Sequence, residues 1–140
     1  MRTTSGPDLD RNGLEVLDRT ECLRLLASAT LGRIGISSGA LPVILPINFR
    51  LVGNTIVFRT TSVTKLDAAT RGSVVAFEVD AMDPIEHTGW SVMVTGVARQ
   101  VTDAEELDAM RPDRVARWAP RGEDRIVAIS TDMVSGRRIL

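Results

Sequence analysis

The stretch Phe58-Arg59-Thr60-Thr61-Ser62-Val63-Thr64-Lys65 brings two unlike cations and a run of hydroxyls together within eight residues. It reads as a strand end, a hydroxyl-rich loop and the first turn of a short helix. Backbone N–H groups at a helix start, side-chain hydroxyls and positive charge are what an organic phosphate needs. The two cations do different jobs at one anion, because arginine presents a planar fork and lysine a point charge. Lys65 is the single lysine, set against sixteen arginines.

Three other segments suit a flat aromatic ligand. Pro46-Ile47-Asn48 lies in a strand whose prolines cannot donate to a ladder, which predicts an edge with amides turned outward. Gly89-Trp90-Ser91-Val92 opens the longest strand with a backbone gap beside an indole. Trp118 sits in a loop between the last helix and the closing strands, in reach of a pocket. Each has a plain structural role open to it as well: edge protection for the prolines, a barrel plug for Trp90, a packing anchor for Trp118.

Other chemistries find no support. Ser37, Ser62, Ser73 and Ser91 lack a nucleophile-elbow context, and His87, the one histidine, has no companion for a triad. Cysteine, histidine and carboxylate spacing does not make a zinc site. Glu78, Asp80, Asp83 and Glu86 read as a solvated rim around a turn at Asp83-Pro84 rather than an acid–base pair. His87 belongs to the same loop as a surface or substrate-lining residue. Arg111, Arg114, Arg117 and Arg121 recur every three or four residues, the pattern of a solvated helix face. A net charge of −1 leaves no basic field for nucleic acid.

The elements that must position these residues follow from periodicity. Residues 1–13 are polar and glycine-bearing, and are expected to form a loosely held arm; residues 14–140 form one domain. Asp18 caps a helix running to about Ala29, with Cys22, Leu25, Leu26 and Ala29 on its buried stripe and Leu17 stapled to Cys22. From Leu31 the period becomes two: Leu31–Ile36, a turn at Ser37-Ser38-Gly39, then Leu41–Phe49. Gly53-Asn54 makes a tight turn into Thr55–Thr60. A short helix from Lys65 to Arg71, capped by Thr64, precedes the strand Ser73–Asp80 and a loop to Thr88. Gly89–Val101 is a long strand with a bend expected at Gly96. Thr102-Asp103-Ala104-Glu105 reads as a capping box opening a helix to Arg111 or Arg117. Strands Arg125–Ser130 and Val134–Leu140 close the chain. Many short, hairpin-linked strands with peripheral helices predict a mainly β protein, a small antiparallel barrel of six to seven strands. At 140 residues, 44% hydrophobic and 4% aromatic, its core must be filled by Val, Ile and Leu. The one cysteine precludes an internal disulfide and fits a reducing, cytoplasmic setting. Neither a membrane span nor a signal-peptide apolar region is expected.

Taken in order, Leu31-Gly32-Arg33-Ile34, Leu45-Pro46-Ile47-Asn48-Phe49, Ile56-Val57-Phe58-Arg59-Thr60 with Lys65, Gly89-Trp90-Ser91-Val92 with Thr95-Gly96, Trp118-Ala119-Pro120 and Gly136-Arg137 resemble the pyridoxamine 5'-phosphate oxidase-like superfamily of FMN-binding split β-barrels. More narrowly, the chain is similar to the small actinobacterial members and the nitroimidazole-reductase-type branch, from about Leu14 to Ile139. The resemblance implies a homodimer with two equivalent pockets at the subunit interface, each holding FMN or a relative, and an oxidoreductase acting on a small molecule. It implies Arg59, Thr60, Ser62 and Lys65 on the ribityl phosphate, Phe58 and Thr61 among the cofactor-binding residues, and Pro46, Ile47 and Asn48 beside the isoalloxazine. Trp90 and Ser91 would contribute from the facing strand, and Trp118 from the same or the partner subunit. Vitamin B6 phosphate is not the expected substrate, since the basic C-terminal segment of true pyridoxamine phosphate oxidases has no counterpart around Arg137-Arg138-Ile139-Leu140. Relatives of this shape also bind the deazaflavin F420 or haem, so an F420 oxidoreductase or a non-enzymatic binder of haem or a hydrophobic ligand are the alternatives.

Overall fold

The computed structural model describes residues 6–61, 66, 70–116 and 124–140. Ser62, Lys65 and Trp118, three of the expected ligand residues, lie outside the described residues, as does most of the expected helix from Lys65.

The elements are β1 (Glu15–Leu17), α1 (Arg19–Ser28), β2 (Leu31–Ser38), β3 (Leu41–Val52), β4 (Thr55–Thr61), β5 (Val74–Asp83), β6 (Thr88–Gln100), α2 (Ala104–Met110), a 3-10 turn (Pro112–Arg114), β7 (Asp124–Ser130) and β8 (Met133–Ile139). All strand pairings are antiparallel, in the order β1-β8-β6-β5-β2-β3-β4-β7, and β7 returns to pair with β6. Six strands therefore close a ring, with β8 and β1 continuing from its side. The split barrel expected from the sequence is the fold observed.

Closure depends on β6 changing partners. It pairs with β8 up to Thr95↔Met133 and with β7 from Ala98↔Ile129. Gly96 stands at the switch, where a Cβ would lie 1.8 Å from the Ser130 carbonyl oxygen. Two backbones meet there, which leaves room only for glycine, while the β5–β6 register runs through Gly96 without a bulge. The β3–β4 hairpin turns on Gly53 (φ 60°), with Val52 opposite Thr55, the glycine-first two-residue turn the sequence implied.

Ile34, Ile36, Ile56, Phe58, Phe77, Val92, Val94 and Ile129 fill the ring, and Phe49 meets Phe77 edge-on at 4.8 Å. α1 lays Cys22, Leu25 and Leu26 against the same core. The Asp18 carboxylate accepts from the Glu21 N–H at 2.8 Å, so the first cap is as expected. A smaller cluster outside the ring joins Val57, Ile126 and Ala128 to Val101 and to Met110 of α2.

A short strand, β1, precedes α1 and pairs with β8, with Leu17 at its end and in the same core cluster as Cys22. Two readings are corrected. The cap of α2 is Asp103, which accepts from the Glu106 N–H at 3.0 Å, not Thr102. That helix stops at Met110, with Arg111 left-handed (φ 50°), because Pro112 disfavours an α conformation in the residue before it. Arg111 and Arg114 therefore do not share one helix face.

The expected loose arm is tied down from Asp8 onward. Val16 N–H donates to the Asp8 carbonyl at 2.6 Å, Asp10 accepts from the N–H of Asn12 and Leu14, and Arg137 Nε donates to Asp10 at 3.1 Å.

Candidate functional site in the split of the barrel

β3 serves two neighbours. It pairs with β2 over Leu41–Asn48 and with β4 over Phe49–Val52. Beyond the Phe49↔Phe58 pair, β4 follows β7 as far as Thr61↔Asp124. The two strands part there, and the barrel is split along that line.

The phase of the β2–β3 ladder decides which backbone groups face the split. Phe49 N–H donates to Thr30 O at 3.0 Å. In an antiparallel ladder this makes Leu31↔Asn48, Arg33↔Pro46 and Gly35↔Ile44 the non-hydrogen-bonded pairs. The main-chain nitrogens of residues 42, 44, 46 and 48 consequently point away from β2. Two of the four are prolines, which have no N–H to leave unmatched. Ile44 and Asn48 keep theirs, and among the described residues no strand pairs with them on that side.

Side chains alternate about this edge. Pro46 and Asn48 lie on the outer face of the sheet, whereas Ile47 is 2% exposed and belongs to the core. Phe58 is likewise fully buried, so it can meet a ligand only through its backbone. Thr60 and Thr61 are buried at the end of β4 opposite Arg125 and Asp124. Arg59 projects to the Val57 face, where it donates to the Val115 carbonyl at 3.0 Å and pairs with the Asp124 carboxylate. Its Nε is shielded from solvent and has no hydrogen-bond partner among the described residues.

Trp90 and Ser91 do not converge with Pro46 and Asn48 within one chain. β6 is separated from β3 by β5 and β2, three strand spacings or about 14 Å. The two residues also point to opposite faces. Trp90 packs on the core, while Ser91 sits on the outer face between Asp80 and Arg137. Leu14, Asp80, Met82, Trp90, Ser91 and Arg137 are among the residues lining a cavity of about 310 Å³ beside this point.

The outer face also holds a group that sequence reasoning missed. Arg33 Nη1 lies 3.6 Å from Glu78 and 3.4 Å from Asp80. Burial, and then the hydrogen bond and charge of Asp80, push the Glu78 carboxyl up to about 7, and Arg33 opposes the shift. The signal was present as Glu78-Val79-Asp80, since alternation along a strand puts both carboxyls on one face. Asp83 plays a different part, accepting from the N–H of Ile85 and Glu86 through its side chain and so closing the β5–β6 turn. His87 is the last residue of that turn, with φ 55°.

The ring of six antiparallel strands, opened between β3 and β4, defines the class: a split β-barrel with an unpaired stretch of strand edge on β3. The sequence profile of the pyridoxamine 5'-phosphate oxidase family matches residues 18–138, and the chain belongs to that family. It is 42% identical over 130 residues to the Mycobacterium tuberculosis protein Rv0080, spanning 89% of this chain and 84% of that one. A structure described as the FAD binding protein from Mycobacterium smegmatis is 37% identical, with a TM-score of 0.79, over 89% of this chain and 99% of its own. A Corynebacterium diphtheriae protein of unknown function is 31% identical, with a TM-score of 0.73, over 91% of this chain and 98% of its own.

Proposed function

We propose that the chain is a flavin-binding oxidoreductase that passes a hydride or electrons to a small molecule, with the flavin seated in the split between β3 and β4. The carrying observation is the edge of β3, where Ile44 and Asn48 turn N–H groups into the split between prolines that have none. Donors fixed on a strand suit the polar edge of a planar heterocycle and need no reorganisation to meet it.

The phosphate of the flavin is assigned to the end of β4 and the segment after it. Thr60, Thr61 and Ser62 supply hydroxyls and Lys65 supplies charge. Arg59 anchors this end through Asp124 and Val115, and its shielded Nε is a donor that an oxygen of a bound anion would satisfy. Once bound, a flavin supplies the hydride and electron chemistry itself. The chain's part is to grip the phosphate, orient the ring and leave one ring face open. That division of labour is consistent with a site built from amides and hydroxyls. FMN fits a cradle for one terminal phosphate. The Mycobacterium smegmatis relative described as an FAD binding protein favours FAD as the second reading.

The working unit is a homodimer. Ile44, Val74, Met93, Val97 and Met133 are between 40% and 72% exposed, and all lie on the outer face that carries Pro46, Asn48 and Ser91. An apolar sheet face of this kind calls for a partner. The same face carries Arg33 beside Glu78 and Asp80, while Arg137, beyond Ser91, is engaged by Asp10 at 3.1 Å; a two-fold axis would lay this face on its own copy. A second copy would also bring its own Ser91 strand to the Pro46–Asn48 edge, which one chain alone holds about 14 Å away.

The visible absorption spectrum of the purified protein, followed by mass analysis of the released small molecule, tests the reading. A flavin band with the mass of FMN or FAD is expected. A deazaflavin or Soret band, or no saturable uptake of either flavin, would overturn it.

A further inference from the structure

Near the middle of the apolar outer face lies a charged group with an odd count: one guanidinium, Arg33, and two carboxyls, Glu78 and Asp80. The register sets Arg33 of β2 opposite Glu78 of β5, and Met93 of β6 opposite Glu78 on its other side. Arg33, Gly35, Ile44, Ala76, Glu78 and Met93 are among the residues lining a recess of about 390 Å³ around it. Arg33 and Asp80 are the charged groups facing Glu78; Arg137 stands across Ser91 from Asp80 and is paired with Asp10 at 3.1 Å. β6 contributes Met93 and β3 contributes Ile44, neither of which titrates. Glu78 Oε1 is already shielded from water and has no hydrogen-bond partner among the described residues, the Arg33 contact at 3.6 Å being too long for one.

Covering this face with a second copy removes the remaining water. Two ionised carboxylates against one arginine would then leave an unmatched negative charge in a low-dielectric interface, which is far costlier than a shared proton. Resting on the homodimer reading above, we propose that the Arg33–Glu78–Asp80 triad makes association through this face proton-linked, each subunit taking up one proton from solvent as the face is covered. The bond formed is O–H on the Glu78–Asp80 pair, and no other group changes oxidation or covalent state.

The sign follows from linkage. In the uncovered subunit Glu78 titrates at about 7, and covering it raises that value further. Association is therefore strongest where the pair is already protonated and weakens as pH rises above neutrality. The dimer responds to alkaline conditions, while acidity between about pH 5 and 7 leaves it intact.

Sedimentation equilibrium of the full chain across about pH 6 to 9 reads this directly. The wild-type dissociation constant is expected to rise by at least about tenfold over that window. Glu78→Gln, which keeps shape and removes the charge, should hold the tight value throughout. Asp80→Asn should flatten the profile as well, by releasing Glu78 from its carboxylate neighbour. A dimer whose wild-type affinity does not change with pH would overturn the proton linkage and leave the homodimer standing. A monomer at every pH would overturn both.

Discussion

Glu21 and Glu78 are carboxyls displaced in opposite directions, and the reasons are local. Glu21 is drawn down to about 2 by its hydrogen bonds to Arg24 and Arg138. The stability it lends is complete above the ordinary carboxyl value near 4.5 and is lost as pH falls toward 2. Glu78 is pushed up to about 7, so its contribution is complete below about 4.5 and is lost as pH rises toward 7. Thermal melts should therefore show Glu21→Gln flattening the acidic limb and Glu78→Gln flattening the limb just below neutrality. Identical profiles for wild type and either variant would refute that variant's half of the account. At the split, Asn48→Pro deletes one edge N–H without breaking a β2–β3 hydrogen bond. The loss of a single net hydrogen bond, about 0.5–1.5 kcal/mol, corresponds to a fall of roughly 2- to 13-fold in flavin affinity. Unchanged affinity with an intact fold would show that the edge amide does not hold the ring.

At the scale of elements, β6 determines whether the ring closes. Gly96→Ala forces a methyl into the Ser130 carbonyl at the point where β6 passes from β8 to β7. Backbone cannot yield as a side-chain tip does, so a cost of about 1–3 kcal/mol or more is expected, seen as a lowered Tm. A Tm within experimental error of wild type would mean that the two strands do not meet there. Gly96 as a special position was legible in the sequence, as were α1 with its Asp18 cap, the Gly53 turn and the proline-marked edge of β3. Each is a local signal: a cap, a glycine, a period of two. What escaped depends on distant residues. β1 is three residues long and exists because β8 lies beside it. The Arg33–Glu78–Asp80 group needs β2 and β5 to be neighbours, which period alone does not reveal. The Arg111–Arg114 face failed for a local reason that the sequence did contain, the proline at 112.

For the whole molecule, the expected site is larger than one chain. In the proposed dimer, Pro46 and Asn48 of one copy and Ser91 of the other would complete a pocket that neither completes alone. Mixed dimers of Asn48→Pro with Ser91→Phe should therefore carry one pocket of wild-type affinity and one doubly altered pocket, seen as a flavin titration whose first half is as tight as wild type, since a two-fold dimer pairs each edge with its partner's β6. If mixed dimers bind no better than the two parents, both residues serve the same chain's pocket. Whether a flavin phosphate is gripped at the end of β4 is decided by titrating FMN and FAD into the cofactor-free wild type and Lys65→Ala. Saturable binding at one flavin per chain is expected, with a weakening of about 10- to 150-fold in the variant, the worth of one charge-assisted phosphate contact of about 1.5–3 kcal/mol. Equal affinity of Lys65→Ala and wild type for both flavins would contradict it.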